Sequence, residues 1–314
     1  MSDFFQKVKD SGGVPTFFWE VTPRCNQHCS MCYLPEDRGG EELPLALVPR
    51  LTQELRALRC LIVTLSGGEP FLRPDILDIV RVFRESGLAV VIFSNGTIME
   101  AHHLDCLAEL GLLRLEISVF SLRPEVASAM GCLDISRVID CVESARRRGI
   151  AVTVKTPVTK QNVDDLAMIA AWCRRISAEH QPDPLIQSKE DGQRHADLLL
   201  PPRQVAEITG SVISACDVGP GTMAMRWDGV LFPCLTIPRP MGKWPEQTLQ
   251  EVVTSREASA MWSLVKRTEM PCKSCPHYRQ CPRCPGLFLS EANGKPWDYL
   301  CRVAQSVTGK RRAE

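Results

Sequence analysis

Residues 17–35, FFWEVTPRCNQHCSMCYLP, join an aromatic and β-branched run to three cysteines held within eight positions, Cys25, Cys29 and Cys32. The run 17–22 reads as a strand, and the cysteines fall in the loop leaving its C-terminal end. Three thiols are too many for one disulfide and one too few for a closed tetrahedral site. Thiolates at x3 and x2 spacing suit a soft, compact metal centre. Spacing alone leaves three readings: zinc completed by the adjacent His28, structural thiols, or an iron–sulphur cubane with one iron open to a small molecule.

The pattern then repeats. Runs 61–66 (LIVTLS), 88–94 (LAVVIFS), 113–120 (LRLEISVF) and 150–158 (IAVTVKTPV) are strand-like. The stretches 47–59, 76–86, 101–110, 135–149 and 162–176 carry apolar residues at three- and four-residue spacing. Gly87, Gly111 and Gly149 stand where left-handed helix caps are expected. A repeat of roughly 25 to 35 residues suits βα units and a parallel sheet, with chemistry at the C-terminal ends of the strands. Residues 184–189 (PLIQSK) are expected to supply a sixth strand.

Acidic and basic residues number 37 each in a chain of 314, which gives no electrostatic reason to expect a nucleic-acid partner. The start MSDFFQKVKDSGG has no apolar targeting core, and no stretch reaches membrane-span length. A cytoplasmic protein is expected, where thiols stay reduced and 15 cysteines call for metal, catalysis or burial. Cys60, Cys106, Cys132, Cys141 and Cys173 are scattered among apolar residues and read as core. The other ten form two dense groups.

The C-x3-C-x2-C string followed by Tyr33 resembles the cluster loop of radical S-adenosylmethionine (SAM) enzymes. GGEP at 67–70 follows the second strand, where that family binds the methionine amino group, and SNG at 94–96 follows the third. The resemblance implies a partial (β/α)6 barrel and S-adenosylmethionine chelating the open iron of a 4Fe–4S cluster on Cys25, Cys29 and Cys32. Gly67 and Gly68 then permit close backbone approach, Glu69 or neighbouring carbonyls accept from the ammonium, and Pro70 stiffens the turn. Ser94, Asn95 and Ser118 are expected near the cosubstrate.

Composition changes near Cys216, where periodicity gives way to Pro, Gly and Cys. Cys216 and Cys234 flank Gly229, and Cys272, Cys275, Cys281, Cys284 and Cys301 follow. Two CxxC pairs suit a zinc knuckle on spacing alone. The order of all seven resembles the SPASM extension of radical SAM enzymes, with Cys281 and Cys284 separated by two residues rather than three. The resemblance assigns Cys272, Cys275, Cys281 and Cys301 to an outer auxiliary 4Fe–4S cluster and Cys216, Cys234 and Cys284 to an inner one. The inner fourth ligand is left open, with Asp217 a local carboxylate. Asp228-Gly229 reads as a hairpin turn.

These readings divide the chain into a lead-in (residues 1–14), a radical SAM barrel (15–205), an auxiliary-cluster domain (206–305) and a flexible tail (306–314). They imply a maturase that crosslinks a ribosomally made precursor peptide, fed by a flavodoxin- or ferredoxin-like donor. Only 24 residues precede Cys25, so leader recognition is expected from the barrel or a separate small protein. The alternatives are an epimerase, in which Cys132 or another lone cysteine donates hydrogen, a sulfatase-type protein maturase, a small-metabolite enzyme, and a zinc-binding interaction protein.

Overall fold

The computed structural model describes residues 2–35, 39–189, 195–209, 221–237, 239–269, 272–278, 281, 284–292 and 297–310. After helix α1 (Ser2–Asp10), the chain alternates β1 (Thr16–Thr22), α2 (Val48–Ala57), β2 (Ile62–Gly67), α3 (Ile76–Glu85), β3 (Ala89–Ser94), α4 (Ala101–Glu109) and β4 (Arg114–Ser118). Helices α5 (Pro124–Ala129) and α6 (Ile135–Arg147) lead to β5 (Val152–Pro157), and α7 (Leu166–Arg175) leads to β6 (Glu179–Asp183). Strands β1 to β6 lie side by side in chain order and run parallel.

The sheet forms because its central strands present one apolar face to the helices, while Glu20, Thr64, Ser66 and Glu116 are buried on the other. Phe17, Trp19, Val21, Val63, Leu65, Val90, Ile92, Leu115, Ile117 and Val154 are all buried. The helices cover it with Leu51, Leu55, Ile79, Val80, Phe83, Leu107 and Val142. Asp134 caps α6 by accepting from the N–H groups of Ser136 (3.0 Å) and Arg137 (3.2 Å). Gly87, Gly111 and Gly149 end their helices with positive φ, as the sequence predicts.

The sixth strand differs from expectation. It is residues 179–183, EHQPD, and residues 184–189 continue without regular structure. An edge strand has one unpaired side and tolerates polar residues and proline, so β6 lacks the apolar signature of its neighbours.

The C-terminal part adds strands to the same sheet, which its composition does not predict. After α8 (Pro202–Thr209), β7 (Thr222–Met225) pairs parallel with β1 at the far edge of the same sheet. β8 (Val230–Phe232) and β9 (Gly242–Lys243) continue it antiparallel, giving nine strands in the order β6-β5-β4-β3-β2-β1-β7-β8-β9. The β7–β8 turn is at Asp228-Gly229, where Gly229 has φ +84° and a Cβ would stand 1.9 Å from the Trp244 carbonyl oxygen. Met223, Leu231, Met241, Trp244, Leu249, Val252 and Met261 join the main core. α9 (Leu249–Val253) and α10 (Arg256–Glu269) follow. A second core unites Leu200 and Val205 with Leu287 and Phe288 of α11 (Pro285–Ala292) and Leu300 and Val303 of α12 (Asp298–Lys310). α12 runs through Lys310, into the stretch expected to be a flexible tail. No described helix is long and apolar enough to cross a membrane.

Candidate active site

The cysteine loop leaves β1 and is held by the turn after β2. Gly68 N–H donates to the Thr22 carbonyl (2.9 Å) and Glu69 N–H to the Arg24 carbonyl (2.8 Å). This contact needs glycine: a Cβ at Gly67 would lie 2.4 Å from Thr22 O, and one at Gly68 would lie 2.1 Å from Arg24 O. Gly67 also has φ +130°. Behind the turn, buried Arg73 donates to the carbonyls of Val21 (3.0 Å) and Leu43 (2.6 Å) and forks onto Asp75 at 2.7 and 3.1 Å.

Cys25, Cys29 and Cys32 line one cavity of about 200 Å³ together with Gly67, Gly68, Ser94, Asn95 and Ser118. The structure thus brings together most of the residues the sequence singles out for the cosubstrate site. Gln27 N–H donates toward Cys25 Sγ at 3.4 Å. Three thiols and two side-chain-free glycines around one cavity fit a cluster with a small cosubstrate beside it. Among the described residues, no group of three or more His, Cys, Asp or Glu forms a site for a metal ion.

Glu69 is placed differently from the sequence expectation. It is fully buried and is not among the residues lining that cavity. Its carboxyl accepts from Phe71 N–H (3.1 Å), Ser94 Oγ (2.9 Å) and Asn95 N–H (2.7 Å). Burial raises its pKa from 4.5 to about 7, against the lowering effect of those three donors. Glu69 therefore ties the turn after β2 to the loop after β3, and the glycine backbone is what faces the cavity. Pro70 is buried at the start of the 3-10 turn that Glu69 caps.

Asn95 works in the same way. Its amide donates to Asn26 Oδ1 (2.8 Å), and Asn26 Nδ2 donates to Thr97 Oγ1 (2.9 Å). Thr97 returns a hydrogen bond to Asn95 Oδ1 (2.6 Å), closing a triangle that pins the cysteine loop to the end of β3. On the other side, Ser30 N–H donates to Met130 O (3.1 Å), and Tyr33 Oη donates to Glu20, which is buried on β1. Asn26, Thr97, Glu20 and Gln27 were not singled out from the sequence, because isolated polar residues carry no spacing signal.

A second cavity, about 410 Å³, adjoins the first through shared walls at Tyr33, Phe93 and Ser118. Glu116, Lys155 and Asp183 of the barrel line it, and Thr236, Cys284 and Leu287 line it from the C-terminal part. Cys234 Sγ is 3.2 Å from Thr236 Oγ1, which is 3.9 Å from Cys284 Sγ. Burial pushes the Cys284 thiol pKa up, and nearby Cys234 adds to it. Burial likewise raises Cys301, with Cys275 contributing. Two of the expected inner-set cysteines are thus neighbours, and two of the expected outer set are as well. Cys272 is buried and Cys281 half-buried, while Cys216 and Asp217 lie outside the described residues.

Of the scattered cysteines, Cys60, Cys132, Cys141 and Cys173 are buried and Cys106 is half-buried. Burial pushes Cys60 and Cys141 to about 12 and Cys173 to about 11, the behaviour of inert core thiols. Cys132, its pKa also raised by burial, lines neither cavity.

Residues 19–173 match the model of the radical SAM superfamily, and residues 216–285 match SPASM, an iron–sulphur cluster-binding domain. The two matches together take in well over half of the chain. The chain belongs to the radical SAM superfamily. Its radical SAM core is the open parallel sheet with the cysteine cavity at the strand ends, and the SPASM match favours iron–sulphur over zinc for the C-terminal cysteines.

A PqqA peptide cyclase of Ruegeria pomeroyi is 25% identical over 291 residues, 82% of this chain and 78% of that one. An AdoMet-dependent heme synthase of Methanosarcina barkeri is 23% identical over 335 residues, 90% and 93% of the two chains. Among solved structures, Streptococcus suis SuiB bound to S-adenosylmethionine superposes with a TM-score of 0.76 at 14% identity, covering 94% of this chain and 80% of that one. The structure of anSMEcpe with bound AdoMet and the Cp18Cys peptide gives 0.74 at 16% identity, covering 94% and 95%. These superpositions show a shared fold.

Proposed function

We propose that this radical SAM enzyme matures a ribosomally made precursor peptide, joining two of its side chains. The observation that carries this reading is the second cavity, walled by the barrel on one side and by Thr236 and Cys284 on the other. A substrate residue seated there touches Phe93 and Ser118, which also line the cysteine cavity, while Cys284 stands across from it. Relatives named as a peptide cyclase, and structures solved with precursor or substrate peptides, support the substrate class.

Cys25, Cys29 and Cys32 would hold a cluster that, with S-adenosylmethionine, supplies a 5′-deoxyadenosyl radical able to take hydrogen from an unactivated C–H bond. The protein's own work is positional. The Gly67–Gly68 backbone approaches the cosubstrate, Glu69 and Asn95 hold the surrounding loops in register, and Phe93 and Ser118 stand at the boundary between the two cavities. Cys234 and Cys284, with Cys216, would hold the inner auxiliary cluster, and Cys272, Cys275, Cys281 and Cys301 the outer one. A flavodoxin- or ferredoxin-like protein would deliver electrons.

A heme-synthase-like role is the second reading, because such an enzyme is among the relatives. The cavity argues against it. A tetrapyrrole brings carboxylates, whereas the chamber presents Glu116 and Asp183, and its Lys155 is already engaged by Glu116 at 3.5 Å and Gln181 at 2.8 Å. Anaerobic reconstitution with a peptide library and with iron coproporphyrin separates the two: a peptide losing two hydrogens supports maturation, and porphyrin turnover alone overturns it.

A further inference from the structure

We propose that the second chamber is a subsite for a cationic side chain on an aliphatic stem, a lysine or arginine of the substrate, held by Asp183. This rests on the peptide-maturase reading and names the residue type that enters its site. Three charged groups line the chamber, and two of them form an ion pair with each other. Glu116 is buried and carries Arg114 at 2.7 Å and Lys155 at 3.5 Å. Lys155 also donates to Gln181 at 2.8 Å. Asp183, at the end of β6, differs: its Oδ1 accepts from Leu185 N–H at 2.9 Å, and among the described residues its carboxylate makes no ion pair within 4.0 Å. Among the described residues, Asp183 is therefore the carboxylate of the chamber without a direct ion pair.

The walls set the rest of the ligand. Met31, Phe93, Leu185, Ile186 and Leu287 present hydrocarbon on several sides. A side chain filling this space needs several methylenes with a charge at the tip, the form of lysine and arginine. A glutamate would meet like charge, and a purely apolar chain would cover a carboxylate without pairing it. The Asp183 carboxyl is accessible to water but stands in the chamber wall, and desolvation raises its pKa while Lys155 draws it back.

The test uses full-chain, anaerobically reconstituted enzyme and capped Ala-X-Ala peptides in which X is lysine, Nε-acetyl-lysine, norleucine or glutamate. Affinity is read by saturation-transfer NMR. The lysine peptide should bind about tenfold or more tightly than the acetyl-lysine and norleucine peptides, the range of a charge-assisted hydrogen bond, with glutamate weakest. Asp183→Asn keeps an oxygen for Leu185 N–H and should erase the lysine preference while leaving norleucine binding within about twofold. Equal binding of lysine and acetyl-lysine by the unaltered enzyme overturns the proposal, as does a preference that survives Asp183→Asn. Peptide mass change, followed separately, tests maturation: altered peptides without lysine preference defeat the subsite alone, and lysine preference without altered peptides defeats the maturase reading alone.

Discussion

Replacing Glu69 by glutamine distinguishes a residue that grips the cosubstrate from one that braces the loops around it. The fully buried carboxyl has its pKa raised from 4.5 to about 7. A carboxyl whose folded pKa lies above its unfolded value favours the folded state where it is protonated. Its contribution is full below about pH 4.5, falls as pH rises to about 7, and stays flat beyond. At about 1.4 kcal/mol per pH unit, the rise from 4.5 to about 7 comes to roughly 3 kcal/mol, most of which falls between pH 5 and pH 8. At roughly 2–4 °C per kcal/mol for a chain of this size, Glu69 alone lowers Tm by about 5–10 °C over that interval. Glu69→Gln removes this component, so its Tm should fall less from pH 5 to pH 8 than that of the unaltered enzyme, measured by anaerobic scanning fluorimetry. The affinity for S-adenosylmethionine should stay within about threefold, because a bracing residue contributes little direct binding energy. Parallel Tm profiles refute the buried-acid assignment. An affinity loss of about 100-fold with the fold intact restores a direct contact with the ammonium.

Replacing Cys25, Cys29 and Cys32 together with alanine should abolish 5′-deoxyadenosine formation while iron remains in the C-terminal part, measured by product chromatography and iron quantification. Gly68→Ala should displace the cysteine loop, cost about 1–3 kcal/mol and lose cosubstrate cleavage, because its Cβ would meet Arg24 O at 2.1 Å. Gly87→Ala meets no atom within 4 Å and should cost about 1–2 kcal/mol through its positive φ alone, with cleavage retained. Cys275→Ala should remove the outer auxiliary cluster, seen as lost iron in Mössbauer spectra, and depress peptide turnover further than 5′-deoxyadenosine formation.

The barrel was legible because each central strand is a both-faces-buried run such as VVIF or LEIS, closed by a glycine where the helix must turn back. β6 was not, since EHQPD owes its strand conformation to pairing with β5 rather than to its own side chains. The sheet strands of the C-terminal part were hidden for a related reason. Met223, Leu231 and Trp244 belong to segments too short to read as elements alone, yet they extend a sheet that already exists. At the site, dense motifs stood out and supporting residues did not. GGEP was visible as a turn, but the direction of the Glu69 side chain depends on Ser94 and Asn95, which follow another strand. Glu116, Lys155 and Asp183 meet only because β4, β5 and β6 are adjacent and in parallel register. The charges inside FFWEVT, LRLEISVF and IAVTVKTPV were the hint that the barrel interior is not all hydrocarbon.

The most direct test of the account is tandem mass spectrometry of a peptide library after single turnover with the reconstituted enzyme, read beside 5′-deoxyadenosine. The account predicts peptides lighter by two hydrogens, one 5′-deoxyadenosine for each, with fragmentation suppressed between the two joined residues. Cosubstrate cleavage with every peptide unchanged in mass, or with deuterium taken from solvent at one carbon and no joined residues, would contradict it.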